Sequence, residues 1–77
     1  MTGKDQIIYA LENEGYEVYD DDSVLSVHVP DVHAPRGGLV HRITEKHLDD
    51  IYDIASMYDS VAVYKESSTT AAVEVGV

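Results

Sequence analysis

The sequence contains no cysteine, so a disulfide framework and thiolate chemistry are both closed to it, and a reducing cytoplasm suits it. No apolar run approaches the ~20 residues that cross a bilayer, and no secretory leader is expected. Positive charge is scarce. Five Lys+Arg stand against 15 Asp+Glu, a net charge of −10. A chain with this balance is repelled by nucleic acid and by anionic membranes, and it is drawn to basic partners. Direct nucleic-acid binding and membrane association are therefore not expected.

What is present suffices for one small domain: 77 residues, 44% of them apolar, with a thin core and modest stability. The charge is uneven. Met1 to Ser23 carries a net −6, Val24 to Leu48 a net +1, and Asp49 to Val77 a net −5. Two acidic thirds flank a near-neutral middle that holds all four histidines. The apolar content and its periodicity argue against a disordered acidic tail.

Thr2 and Asp5 have the spacing of a capping box, opening a helix that runs to about Glu14 and ends at Gly15. Its apolar side is Ile7, Ile8 and Leu11. Tyr16 to Tyr19 reads as a strand, Asp20-Asp21-Asp22-Ser23 as a turn, and Val24 to Val29 as a second strand with Leu25, Val27 and Val29 on one face. Pro30 ends that strand, and Asp31 to Gly38 reads as a loop. Leu39 to Ile43 reads as a short third strand. Thr44 caps a helix from Glu45 to about Tyr58 with the stripe Leu48, Ile51, Tyr52, Ala55, Tyr58. Val61 to Lys65 and Ala71 to Val75 form a hairpin.

The halves resemble each other. Asp5-Gln6-Ile7 matches Asp49-Asp50-Ile51, Val18-Tyr19 matches Val63-Tyr64, Asp22-Ser23 matches Glu66-Ser67, and Val27-His28-Val29 matches Val73-Glu74-Val75. A helix–strand–strand unit used twice implies an α+β, two-layer domain. Its antiparallel sheet would have four or five strands, with two helices on one face in αββ-αββ order.

Catalytic and metal patterns are missing. His28, His33, His41 and His47 include no pair at i, i+4 spacing and no cysteine or HExxH context, so a metal site is not expected. The carboxylates cluster in turns and on a helix face, where solvent keeps them ionised, which does not suit acid–base catalysis. Arg36-Gly37-Gly38 lacks the remainder of a phosphate loop and reads as a flexible surface loop. The opening element order, helix–strand–strand–strand–helix, is similar to that of HicA-like and double-stranded-RNA-binding folds. The toxin's Gly-Ser/Thr-His motif is absent, however, Ser26-Val27-His28 standing in its place. The expectation is a binding protein, not an enzyme, with no cofactor.

The acids carry the argument for a partner. Asp49 and Asp53 stand one helical turn apart with Asp50 adjacent, and like charges at this spacing weaken a helix by a few tenths of a kcal/mol. Asp20, Asp21 and Asp22 crowd one turn. The expected binding surface comprises Asp20, Asp21, Asp22, Asp49, Asp50 and Asp53, with Glu12, Glu14 and Glu17 contributing. Tyr19-Asp20-Asp21-Asp22-Ser23, Asp49-Asp50-Ile51-Tyr52-Asp53 and the small size make the chain resemble the acidic bacteriophage proteins that mimic DNA. These disable host DNA-binding proteins, as in the phage inhibitors of the histone-like nucleoid protein HU. The resemblance implies a cytoplasmic inhibitor seated on the DNA-binding surface of a basic host protein. The alternatives are a halophile's cytosolic domain, acidic through salt adaptation, and a non-enzymatic adaptor or antitoxin-like module. A homodimer is expected through an exposed edge at Ala71 to Val75, guarded only by Glu74.

Overall fold

In the computed structural model, which describes residues 3–22, 24–29 and 42–77, the apolar periodicity resolves into two helices and four strands. In chain order these are α1 (Gly3–Asn13), β1 (Glu17–Asp21), β2 (Val24–His28), α2 (Glu45–Ala55), β3 (Val61–Lys65) and β4 (Thr70–Val75). The fold is α+β, in αββ-αββ order, with both helices packed on one antiparallel sheet. Ile7 and Leu11 of α1 and Ile51 and Ala55 of α2 are fully buried against Leu25, Val27, Ala71 and Val73 of the sheet. No described helix is long and apolar enough to cross a membrane.

Both helix boundaries have local chemical causes. α1 ends in a Schellman motif. Tyr16 N–H donates to the Leu11 carbonyl (3.1 Å) and Gly15 N–H to the Glu12 carbonyl (3.0 Å), with Gly15 at φ 96°. Glycine reaches that left-handed conformation without a Cβ penalty. α2 opens at Thr44, whose hydroxyl accepts from the His47 N–H (3.3 Å) while His47 Nδ1 accepts from the Thr44 N–H (3.1 Å). This is a capping box with histidine where Glu or Gln is usual. α2 ends at Ala55, earlier than the stripe suggests, because Met57 and Tyr58 bond three residues back and tighten the last turn. Tyr52 and Tyr58, expected in the buried stripe, lie at the surface. Thr2, Ser23 and residues 30–41, with the expected loop, two of the histidines and most of the expected third strand, fall outside the described residues. Arg42 and Ile43 are not strand.

The sheet order is β1-β2-β4-β3. The expected edge at Ala71 to Val75 is thus corrected: β4 is interior, paired to β2 on one side and β3 on the other. The reason is burial. Residues 70–73 are all buried, and the most deeply buried strands, β2 and β4, take the centre, leaving Glu17, Asp20 and Asp21 of β1 on one edge and Lys65 of β3 on the other. Asp20 and Asp21 are also corrected, since they belong to β1 and pair with Leu25 and Val24. Only Asp22, at φ 57°, occupies the described part of the turn. The three charges therefore splay to different sides instead of crowding one turn. Lys4 Nζ meets the Asp20 carboxylate at 3.0 Å and the Asp22 carbonyl at 3.1 Å.

The internal repeat is two-fold. Val18 pairs with Val27 in the first hairpin, as Val63 pairs with Val73 in the second. Across the centre Leu25 faces Val73, Val27 faces Ala71, and Ser26 faces Ala72. A pseudo-dyad through the Ser26/Ala72 pair interchanges the halves, and with them Ile7 and Ile51, Leu11 and Ala55. The helices accordingly run antiparallel. The start of α1 abuts the turn after α2, where a Cβ on Gly3 would stand 3.1 Å from the Tyr58 carbonyl.

Candidate functional site

All nine expected site residues are exposed, but the structure divides them. Asp20, Asp21 and Asp22 lie by the start of α1, where Lys4 pairs with Asp20. Among the described residues Asp20 is the one of the nine that forms an ion pair. Glu14, Asp50 and Asp53 gather at the other end of α1, an eleven-residue helix spanning ~16 Å. Glu17 lies on the open face of the sheet, its carboxylate accepting from the Tyr19 hydroxyl at 3.4 Å. Glu12 and Asp49 remain on the solvent sides of their helices.

Glu14, Asp50 and Asp53 line one cleft of about 360 Å³, floored by Tyr16 and Ile54. The backbone explains this convergence. Asp50 and Asp53 are three residues apart and project to the same side of α2. The Schellman turn reverses the chain just after Glu14 and folds Tyr16 under the helix pair. Tyr16 reports the local field, its phenol held above the usual tyrosine range by burial first, then by the Asp50 and Glu14 charges. Three carboxylates around a half-buried aromatic ring suit a Lys or Arg side chain, which gains ion pairs and a ring face together.

The pKa shift has a consequence for stability. The folded chain holds the Tyr16 proton more tightly than the unfolded chain does. Its contribution is therefore whole below the ordinary tyrosine value of about 10 and is lost as pH climbs through the raised folded value. Tyr16→Phe should flatten the alkaline limb of the stability–pH curve. Asp50→Asn should bring the Tyr16 titration back toward the ordinary value, as read from tyrosinate absorbance. An alkaline limb unchanged in Tyr16→Phe counts against this assignment.

Adjoining the cleft is a second hollow of about 520 Å³ between the helices, with Tyr9, Met57 and Tyr58 on its walls, and Glu14 and Ile54 common to both. Together the hollows form one groove, acidic at one end and apolar at the other. Nothing in the sequence pattern marks Tyr9 or Met57, which stand outside the buried helical stripes. Tyr16 read simply as the first strand residue.

No described helix packs on the other face of the sheet. By register, Tyr19, Ser26, Ala72 and Tyr64 form a row across it. The Tyr19 ring meets His28 edge-on at 5.3 Å, and the Tyr64 hydroxyl donates to Glu74 at 3.0 Å. That bond is the chief cause raising the Tyr64 pKa, followed by burial and the Glu74 and Glu66 charges. Here both tyrosine hydroxyls meet a glutamate carboxylate. Among the described residues no three histidine or carboxylate side chains are placed to hold a metal ion. Comparison of the chain with protein-family models, with curated proteins and with solved structures gives no match.

Proposed function

We propose that the protein works by binding alone, as an acidic DNA mimic that occupies the DNA-binding surface of a basic, HU-type nucleoid protein in the cytoplasm. The observation that carries this reading is the exposure of nine carboxylates, of which, among the described residues, only Asp20 forms an ion pair. Carboxylates without internal counter-ions keep their field available to a cationic partner. The scale is compatible. The body is 37 Å long and the chain has 15 acids, whereas a duplex of that length carries about 22 phosphates at one per ~1.7 Å. Mimicry at this density is partial, which favours a partner that contacts some phosphates and not all. A homodimer formed by sheet pairing would use β3, the edge whose single charge is Lys65, in preference to acidic β1.

The test is a fluorescence competition titration of labelled duplex DNA bound to purified HU, repeated at several salt concentrations. Displacement should be strongest at low salt, because the contacts are ion pairs. The affinity should fall less steeply with salt than that of DNA, which alone gains from releasing condensed counter-ions. No displacement at low salt would end the reading.

A further inference from the structure

The groove between α1 and α2 is more specific than a charged surface needs to be. The pseudo-dyad supplies an internal control on it. Gln6 and Asp50 occupy equivalent positions, as do Tyr9 and Asp53, Ala10 and Ile54, and Glu14 and Tyr58. The first three pairs are helical in both halves, yet one half of the groove is acidic and the other is tyrosine and apolar. The helical backbone at these positions therefore does not dictate the difference. The apolar end is uncovered, with Tyr9 at 66% and Met57 at 74% exposure. Exposed apolar side chains gathered at a groove mark an interaction site. The acidic end decides what enters: a second copy of this chain, also at −10, is repelled, and a cationic segment is attracted.

We propose that this groove docks an amphipathic helix of the basic partner, with an Arg or Lys held by Glu14, Asp50 and Asp53 and an apolar side chain seated among Tyr9, Met57 and Tyr58. The α1 wall of the groove runs from Gln6 at the apolar end to Glu14 at the acidic end, ~12 Å at 1.5 Å per residue. The two anchors thus sit about two helical turns apart, at i and i+7. The asymmetry fixes the direction of the incoming helix, since reversing it would place a cation against tyrosine and methionine. The inference rests on the reading of a basic partner and adds the place and the manner of contact.

Three synthetic helical peptides test it by titration into isotopically labelled protein, followed by nuclear magnetic resonance. One carries Arg and Leu at i and i+7, one has the Leu replaced by Ser, and one has the Arg replaced by Gln. The first should bind at least about tenfold more tightly than either other and shift amides of α1 and α2 beside the groove. Asp50→Asn with Asp53→Asn should weaken it about tenfold, and Tyr9→Ser with Met57→Ser should remove its advantage over the Ser peptide. These side chains are exposed, and far-UV circular dichroism checks that the variants fold. Equal affinities for the three peptides, or shifts confined to Asp20 to Asp22 or the open sheet face, would overturn the groove. Undiminished displacement of DNA from HU by the Asp50/Asp53 variant would overturn it too, leaving the broader reading intact. Failure of the wild-type protein to displace DNA, with peptide binding as expected, would overturn the nucleoid-protein reading and leave the groove.

Discussion

Lowering the ionic strength from about 0.15 M to about 0.01 M should weaken the fold by ~3 kcal/mol. The folded chain has a radius of gyration of 11.9 Å, equivalent to a sphere of radius ~15 Å, whereas the unfolded chain expands to a gyration radius of ~27 Å. Ten net charges repel far more strongly in the smaller volume. The Debye length grows from about 8 to about 30 Å over this change of salt, so the repulsion is then barely screened across the molecule. Set against the ~4–12 kcal/mol usual for a domain of this size, the loss is large. The effect scales as the square of net charge, so Asp49→Asn, Asp50→Asn and Asp53→Asn together should halve it, to about 1.5 kcal/mol. Urea midpoints at the two salt concentrations measure both. Equal midpoints would show that the charges are neutralised within the fold. A chain already unfolded at about 0.15 M would point instead to salt adaptation.

Leu25→Ala should cost ~3 kcal/mol, within the 2–5 kcal/mol range for removing a buried leucine side chain. Leu25 is fully buried in β2, opposite Val73. Its neighbourhood has little means of closing the cavity. The dyad-related position is Ala71, the helix above contributes Ala55, and β2 and β4 are held by backbone pairing on both sides. Leu48→Ala, on a half-buried side chain at the rim of the core, should cost less than half as much. Chemical denaturation of the two variants gives the comparison. A Leu25→Ala loss below about 1 kcal/mol would mean that the core repacks around the gap.

What could be read from the sequence was local. Gly15 announces the end of α1 because few other residues take a positive φ, and Thr44 announces α2 because its hydroxyl can meet a free N–H. That His47 completes the capping box was not legible, since its ring nitrogen replaces the expected carboxylate or amide. Asp20 and Asp21 read as turn because aspartate disfavours strands, a preference overridden by pairing with β2 and by Lys4 from a distant helix. The two-fold repeat left a trace, and its residue matches Val18 with Val63 and Val27 with Val73 agree with the registers. The joining of the halves through β2 and β4 left none, because strand order depends on which strand loses most water. For the same reason Glu14 could not be placed beside Asp50 and Asp53, nor Tyr9 beside Met57.

A fold whose two halves meet along their innermost strands has a delicate period during synthesis. β2 emerges with both a bare backbone edge and an apolar face, and its partner β4 follows roughly 45 residues later. At 5–20 residues per second this is on the order of 2–9 s on the ribosome. Throughout that interval a neighbouring nascent chain offers the same strand to pair with, and β2 has no charged residue of its own to refuse it. The segment just before it carries a net −6, which keeps identical half-made chains apart. The acids of α1 and β1 thus guard β2 before the molecule has a surface on which to receive a partner.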